Sequence, residues 1–110
     1  MVEKVSLVLP VPDLDAAVSV WKEVLGAEPT FVDGDRWAQF DHAGTRLSLA
    51  GTDRLADQPG VMVKVKDLDA ACERLRQAGC DVGEPSAGAH ERRAAATGPG
   101  GWPIILYSPL

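Results

Sequence analysis

An internal repeat constrains this chain more than any other feature of its sequence. The segment Val-Pro-Asp-Leu-Asp-Ala-Ala at residues 11–17 returns 54 positions later as Val-Lys-Asp-Leu-Asp-Ala-Ala at residues 65–71, in a chain of 110 residues. Each copy is followed by an apolar pattern of helical spacing that ends at a glycine, Gly26 and then Gly79. A repeat of this length is a supersecondary unit that buries its apolar face against its partner. The sequence therefore predicts two half-domains of one design, with the join between them as the first place to look for a binding site.

Local patterns predict the same order of elements in both halves. A strand pattern precedes each copy of the repeat, and Asp13 and Asp67 stand where a helix N-cap is expected. Three shorter strands are predicted after each helix, and Asp33-Gly34 is a signal for a two-residue hairpin turn between the first two. The predicted order is strand, helix and three strands, twice over.

The length of the chain sets the domain organisation. About two-thirds of the surface of a chain this short is buried on folding, which supports one modest core and not two independent ones. We therefore expect a single α+β domain over residues 1–110. It consists of a βαβββ module at 1–52 and a second βαβββ module at 59–110, joined by a short linker at 53–58.

Charge and hydropathy exclude several classes of partner. The formal net charge of −5 argues against binding to a nucleic-acid backbone, which requires clustered Lys and Arg. No apolar run approaches the roughly 20 residues of a membrane span. A strand pattern directly after Met1 leaves no room for a signal peptide, so we expect a cytoplasmic protein. Cys72 and Cys80 lack the spacing of a metal site and are expected to be reduced, small apolar residues.

The sequence resembles a known superfamily in three places. These are the repeated helix-entry motif, the segment Trp-Lys-Glu-Val-Leu-Gly at 21–26, and the stretch Gly-Pro-Gly-Gly-Trp-Pro-Ile-Ile-Leu at 98–106. Together they resemble the glyoxalase, bleomycin-resistance and extradiol-dioxygenase superfamily, also called vicinal oxygen chelate proteins, over essentially the whole chain. The resemblance implies a mixed sheet that curls into a cup around a pocket, with the helices on its outer face. It also implies a homodimer.

The resemblance also assigns four positions to the ligands of a divalent metal in the enzymes of the superfamily. Those positions are Ser6, Ser48, Gly60 and Ile105 here. None carries an imidazole or a carboxylate, whereas such cations require nitrogen or oxygen donors. The sequence therefore predicts no metal at the usual place and no cofactor. Small and apolar side chains at these positions predict a larger, drier cavity that suits a bulky organic ligand.

Strand alternation and the aromatic residues indicate which side chains line the cup. Trp37 is preferred over Phe40 because its indole N–H favours a partner or water at a rim. Either Arg92 or Arg93 should point inward, where a guanidinium can hold a ligand oxygen. Trp102 either closes the pocket or anchors the last strand. The predicted ligand-binding residues are Ser6, Val8, Trp37, Arg46, Ser48, Met62, Arg92, Trp102, Ile105 and Tyr107.

The leading functional hypothesis is a metal-independent binding protein of the antibiotic-resistance type, which sequesters a bulky aromatic or polycyclic natural product. The alternative is a metal-independent lyase, isomerase or cyclase that acts in the same cavity through His90, Glu91 or an arginine. A structural or regulatory dimer module without a ligand is the third possibility. No residue is assigned a catalytic role on the leading hypothesis.

Overall fold

A computed structural model describes residues 2–110 of the chain. In chain order its elements are β1 (Val2–Pro10), α1 (Leu14–Leu25), β2 (Phe31–Asp33), β3 (Trp37–His42), β4 (Thr45–Ala50), β5 (Gly60–Val65), α2 (Leu68–Gln77), β6 (Asp81–Val82), β7 (Ser86–Ala87), β8 (Glu91–Thr97) and β9 (Pro103–Pro109). Neither helix in this part of the chain is long and apolar enough to cross a membrane.

The nine strands found in residues 2–110 form one curled, mixed sheet of order β2-β3-β4-β1-β5-β9-β8-β6, with β7 paired to β8. Strands β1 and β5 run antiparallel at its centre and join the two halves, with Ser6 opposite Met62. In each half the first strand pairs in parallel with the last, β1 with β4 and β5 with β9. The predicted α+β fold of two βαβββ modules is therefore confirmed, with one addition. Strand β7 lies where a loop was expected.

Both helices begin at the aspartates of the repeat. The carboxylate of Asp13 accepts a hydrogen bond from the backbone N–H of Ala16 at 3.1 Å, and Asp67 accepts one from Ala70 at 3.0 Å. A side-chain cap of this kind stabilises a helix by about 1 kcal/mol. Helix α1 ends at Gly26, whose φ of 62° is the left-handed conformation that glycine adopts without strain. The repeat thus encodes the start of each helix locally.

The apolar side chains form three clusters. One lies under α1 and includes Phe40 and Leu49, and a second lies under α2 and includes Val65 and Cys72. Burial raises the pKa of the Cys72 thiol, which keeps it protonated and unreactive. The third cluster lies inside the cup and joins the two modules; its buried members are Val8, Ala50, Met62 and Ile105.

Two connections differ from the sequence prediction. Asp33 pairs with Trp37, so the first hairpin has a three-residue loop at 34–36 and not the predicted two-residue turn. Arg36 lies in that loop because its side chain pairs with the Asp33 carboxylate, and its backbone N–H donates to the Asp33 carbonyl at 2.9 Å. The linker predicted at 53–58 does more than connect the two modules, since Leu55 and Ala56 pack against the apolar cluster inside the cup.

The outer face of the two central strands is apolar and partly exposed. Val5 and Leu7 of β1 are 62% and 50% exposed, and they lie opposite Val63 and Val61 of β5, which are half-buried. Val63 packs against the cluster under α2, whereas Val5 and Leu7 belong to neither cluster under a helix.

Candidate ligand-binding site

A cavity of about 300 Å³ opens on the concave side of the sheet. Its walls come from both modules and from the linker between them. The residues that line it are Ser6, Phe31, Trp37, Gln39, Arg46, Ser48, Asp53, Met62, His90, Glu91 and Tyr107. Aromatic rings and a methionine form the apolar part of the wall, and polar and charged side chains from both modules and the linker form the rest.

The strand register explains the inner part of the cavity. Ser48 lies opposite Gln39 across β3 and β4, and Ser6 lies opposite Met62 across β1 and β5. Because alternate side chains point to the same face, these four residues all turn to the concave side. Both serines are buried, and their small side chains leave the space that the cavity occupies.

Arg46 and Tyr107 bring polar groups to the apolar wall. Arg46 donates through Nε to the Asp41 carboxylate at 2.8 Å, and this interaction lowers the pKa of Asp41. Thr30 donates its hydroxyl to the other oxygen of Asp41 at 2.6 Å. Burial raises the pKa of the Tyr107 hydroxyl, so it stays neutral and is able to donate or accept a hydrogen bond.

A contact between the two modules forms one side of the cavity mouth. His90 Nε2 lies 2.9 Å from the Asp33 carboxylate, and the His90 and Phe31 rings are nearly perpendicular with ring centres 5.5 Å apart. Asp33 also accepts hydrogen bonds from Arg36, and the Arg36 and His90 bonds lower the pKa of Asp33 to about 2. Asp33 is therefore ionised at neutral pH and orients the imidazole.

Asp53 and Glu91 line another part of the cavity, and both lie beside the Arg93 guanidinium. Arg93 is buried and pairs with the Asp53 carboxylate at 2.8 Å, and its Nε lies 3.6 Å from Glu91. Burial raises the pKa of Glu91, and the Coulombic effect of Arg93 opposes that shift only in part.

A family model described as the Glyoxalase/Bleomycin resistance protein/Dioxygenase superfamily matches residues 5–106. The chain belongs to this superfamily. No curated protein matches the sequence significantly.

Solved structures that resemble this superfamily member share its fold at low sequence identity. A glyoxalase/bleomycin resistance protein/dioxygenase superfamily member from Vibrio splendidus 12B01 is 16% identical, with a TM-score of 0.70 and all of both chains covered. A chain from Legionella pneumophila described as NAD-dependent benzaldehyde dehydrogenase is 13% identical, with a TM-score of 0.85, 97% of this chain covered and 100% of that one. Methylmalonyl-CoA epimerase from Mycobacterium tuberculosis is 21% identical, with a TM-score of 0.60, 99% of this chain covered and 87% of that one.

Eight of the ten residues predicted to bind a ligand lie on the concave side of this superfamily member. Six line the cavity itself: Ser6, Trp37, Arg46, Ser48, Met62 and Tyr107. Val8 and Ile105 line a much smaller adjoining cavity that shares Trp37 as a wall and into which Leu55 and Ala56 of the linker project. The choice of Trp37 over Phe40 agrees with the structure, because Phe40 is buried under α1.

Arg92 and Trp102 do not line either cavity, so the structure does not bring them together with the other predicted residues. The Arg92 guanidinium pairs with Asp69 in the first turn of α2 at 3.1 Å, on the outer face of the sheet, while Arg93 turns inward. Neighbouring residues of a strand face opposite sides, and the sequence does not say which of the two faces in. Trp102 is 51% exposed and covers the glycine turn, since a Cβ on Gly98 would lie 2.5 Å from its ring. It therefore anchors the start of the last strand.

The prediction omitted five residues that line the cavity. Gln39 follows Trp37 at the spacing of strand alternation, and that signal was available in the sequence. His90 and Glu91 were considered only for the alternative enzymatic function. Phe31 and Asp53 reach the mouth from an edge strand and from the linker, and no local pattern indicates either position.

The side chains at the four metal positions of the superfamily do not fit a divalent cation. Ser6 and Ser48 line the cavity and Ile105 lines the adjoining one. Gly60 has no room for a ligating side chain, because a Cβ there would lie 2.7 Å from the Pro103 carbonyl oxygen. Residues 2–110 contain no other cluster of three or more His, Cys, Asp or Glu side chains suited to a metal ion.

Proposed function

We propose that this protein binds a flat aromatic small molecule in the cavity and sequesters it without transforming it. One observation carries the proposal. The positions at which the superfamily's enzymes hold a metal have serine, glycine and isoleucine here, while Trp37, Tyr107 and Phe31 supply aromatic rings to the cavity wall. The name of the superfamily includes bleomycin resistance proteins. By analogy, the proposed role is protection against a toxic natural product through binding it.

The size of the cavity sets the size of the proposed ligand. A volume of about 300 Å³ is at the lower end of the range for small-molecule sites. It suits two or three fused rings better than a large polycyclic molecule. Each ring that stacks on an aromatic side chain contributes about 0.5–1.5 kcal/mol beyond the area it buries. Affinity would thus come from apolar burial and stacking, with no bond made or broken.

Tryptophan fluorescence tests this proposal. The chain has three tryptophans, and only Trp37 lines the cavity among the residues the structure describes. A Trp21→Phe/Trp102→Phe variant keeps Trp37 as its single reporter, and titration with aromatic compounds of one to four rings should quench its emission saturably. Mass spectrometry should recover the bound compound unchanged.

The matched control is a Trp37→Phe variant, which retains the other two tryptophans and should show little quenching on the same titration. The absence of both saturable quenching and ligand-induced thermal stabilisation across the series would contradict the binding function.

His90 and Glu91 favour a second candidate, a metal-independent lyase, isomerase or cyclase. Both side chains line the cavity, and Asp33 orients His90. An imidazole beside a carboxyl group of raised pKa is suited to proton transfer. Formation of a product of new structure by the wild-type protein, lost in His90→Ala, would establish this candidate over sequestration.

A further inference from the structure

We infer that the ligand carries a positively charged nitrogen beside its aromatic rings, and that Glu91 is the side chain that recognises it. The inference rests on the proposed binding function and names the chemical class of the ligand. It follows from how Asp53, Glu91 and Arg93 share hydrogen bonds where the linker meets β8.

Arg93 is committed to Asp53. Its two terminal nitrogens donate to the Asp53 carbonyl oxygen and to the Asp53 carboxylate, both at 2.8 Å. Only 7% of the Arg93 side chain is exposed, and Gly88 covers the guanidinium so closely that a Cβ there would lie 2.9 Å from Nε. The guanidinium is therefore held in place and is not free to turn toward a ligand.

Glu91 is left without a hydrogen bond from this cation. Arg93 Nε lies 3.6 Å from the nearer Glu91 oxygen, and Nε has no hydrogen-bond partner within residues 2–110. The Glu91 side chain is only 17% exposed. Two carboxylates thus face one guanidinium, and the one with the poorer contact lines the cavity.

The other basic side chains near the cavity already have partners. Arg46 donates to Asp41, and His90 contacts Asp33. Neither side chain makes a hydrogen bond to Glu91 in the described residues. Burial raises the pKa of Glu91, as expected for a carboxylate whose charge is incompletely compensated.

A ligand ammonium group would give Glu91 a cation that donates a hydrogen bond to it. It brings a positive charge and N–H donors, and charge-assisted hydrogen bonds of this kind are stronger than neutral ones. The aromatic rings of Trp37, Tyr107 and Phe31 line the same cavity, and a cation is attracted to the face of such a ring. An anionic ligand would meet the excess carboxylate and be repelled.

Three probes of one shape and different charge test the inference on the wild-type protein. These are 1-naphthylmethylamine, 1-naphthylmethanol and 1-naphthoate, titrated at pH 7 by calorimetry. We expect the amine to bind about tenfold more tightly than the alcohol, because a hydrogen bond to a charged group contributes roughly 1.5 kcal/mol or more. We expect 1-naphthoate to bind most weakly.

A Glu91→Gln variant should lose the preference for the amine over the alcohol. The matched control is Glu84→Gln, which changes an exposed glutamate outside the cavity lining and should keep that preference. Equal affinity of wild type for amine and alcohol, preference for 1-naphthoate, or retention of the amine preference in Glu91→Gln would overturn the inference and leave the binding function intact. Failure of all three probes and of the wider aromatic series to bind would overturn both.

Discussion

Arg93 holds Asp53 by two hydrogen bonds of 2.8 Å, one to its carbonyl oxygen and one to its carboxylate. The two residues are 40 positions apart in the chain, and their contact ties the linker to β8. The linker is therefore part of the cavity wall. Leu55 and Ala56 follow Asp53 and cover the apolar cluster inside the cup.

Loss of this buried cation should destabilise the fold strongly. Replacing Arg93 with Met leaves Asp53 and Glu91 with no positive partner in a mostly buried place, and uncompensated buried charges typically cost about 3–5 kcal/mol. The free energy of unfolding in urea measures the effect. Arg92→Met is the matched control; it removes an exposed pair with Asp69, and we expect a much smaller loss because solvent screens such pairs. Similar losses for the two variants would contradict this account of the buried pair.

Substitution of Phe40 should lower stability, whereas substitution of Phe31 should mainly weaken ligand binding. Phe40 is buried under α1, so Phe40→Ala should cost about 3–5 kcal/mol of unfolding free energy through the cavity it creates. Phe31 is part-exposed at the mouth, so Phe31→Ala should cost under about 1.5 kcal/mol of stability. It should weaken binding of an aromatic probe severalfold, because a ring contact is worth about 0.5–1.5 kcal/mol. Unchanged probe affinity in Phe31→Ala would remove Phe31 from the binding surface.

Asp33 should make the stability of the protein depend on pH in the acidic range. Its pKa is lowered to about 2 by Arg36 and His90, below the ordinary value of 3.8. A carboxyl group with a lowered folded pKa contributes stability above its unfolded pKa and loses it as pH falls through the folded one. Wild type should therefore exceed Asp33→Asn in melting temperature near neutral pH. The gap should shrink below about pH 4 and vanish near pH 2.

Thermal melts followed by circular dichroism across this pH range measure that gap. Asp57→Asn changes an exposed linker carboxylate and should stay close to wild type throughout. A gap between wild type and Asp33→Asn that persists unchanged at pH 2 would show that Asp33 acts through something other than its charge.

We propose that the apolar strip formed by Val5, Leu7, Val61 and Val63 on the outer face of the central strands is the interface of a homodimer. Val5 and Leu7 are exposed and the half-buried Val61 and Val63 lie opposite them, and a second copy related by a two-fold axis presents the same strip in return. Light scattering after gel filtration should give twice the chain mass of 11.7 kDa for wild type and the single mass for Leu7→Lys.

Val32→Lys provides the control for the dimer. Val32 is also an exposed apolar residue, but it lies on the edge strand β2, away from the central strands. This variant should remain dimeric. A wild-type protein that is monomeric at all concentrations, or a Leu7→Lys variant that remains dimeric, would rule out this interface.

Short-range patterns predicted most of the fold. The caps at Asp13 and Asp67 depend on contacts three residues away, so the repeat places both helices. Alternation along the central strands predicted that Ser6 and Met62 face the same side of the sheet, and both line the cavity. The hairpin at Asp33 was misjudged by one residue, because the side-chain pair with Arg36 keeps that residue in the loop.

Contacts between residues far apart in the sequence determine the orientation of the site residues that the sequence analysis missed. Strand alternation states that Arg92 and Arg93 face opposite sides but gives no absolute direction, and their partners Asp69 and Asp53 fix it. His90 reaches the mouth through a contact with a residue 57 positions away. No local pattern encodes such a contact.

By itself the sequence determined a duplicated α+β fold and the starts of its helices, because both depend on residue type and local spacing. Only the tertiary structure decided which arginine turns inward, that the linker forms part of the cavity wall, and that Glu91 faces the cavity with an incompletely compensated charge. Those properties arise from distances between residues far apart in the chain, which are set only when the sheet curls and the two modules meet.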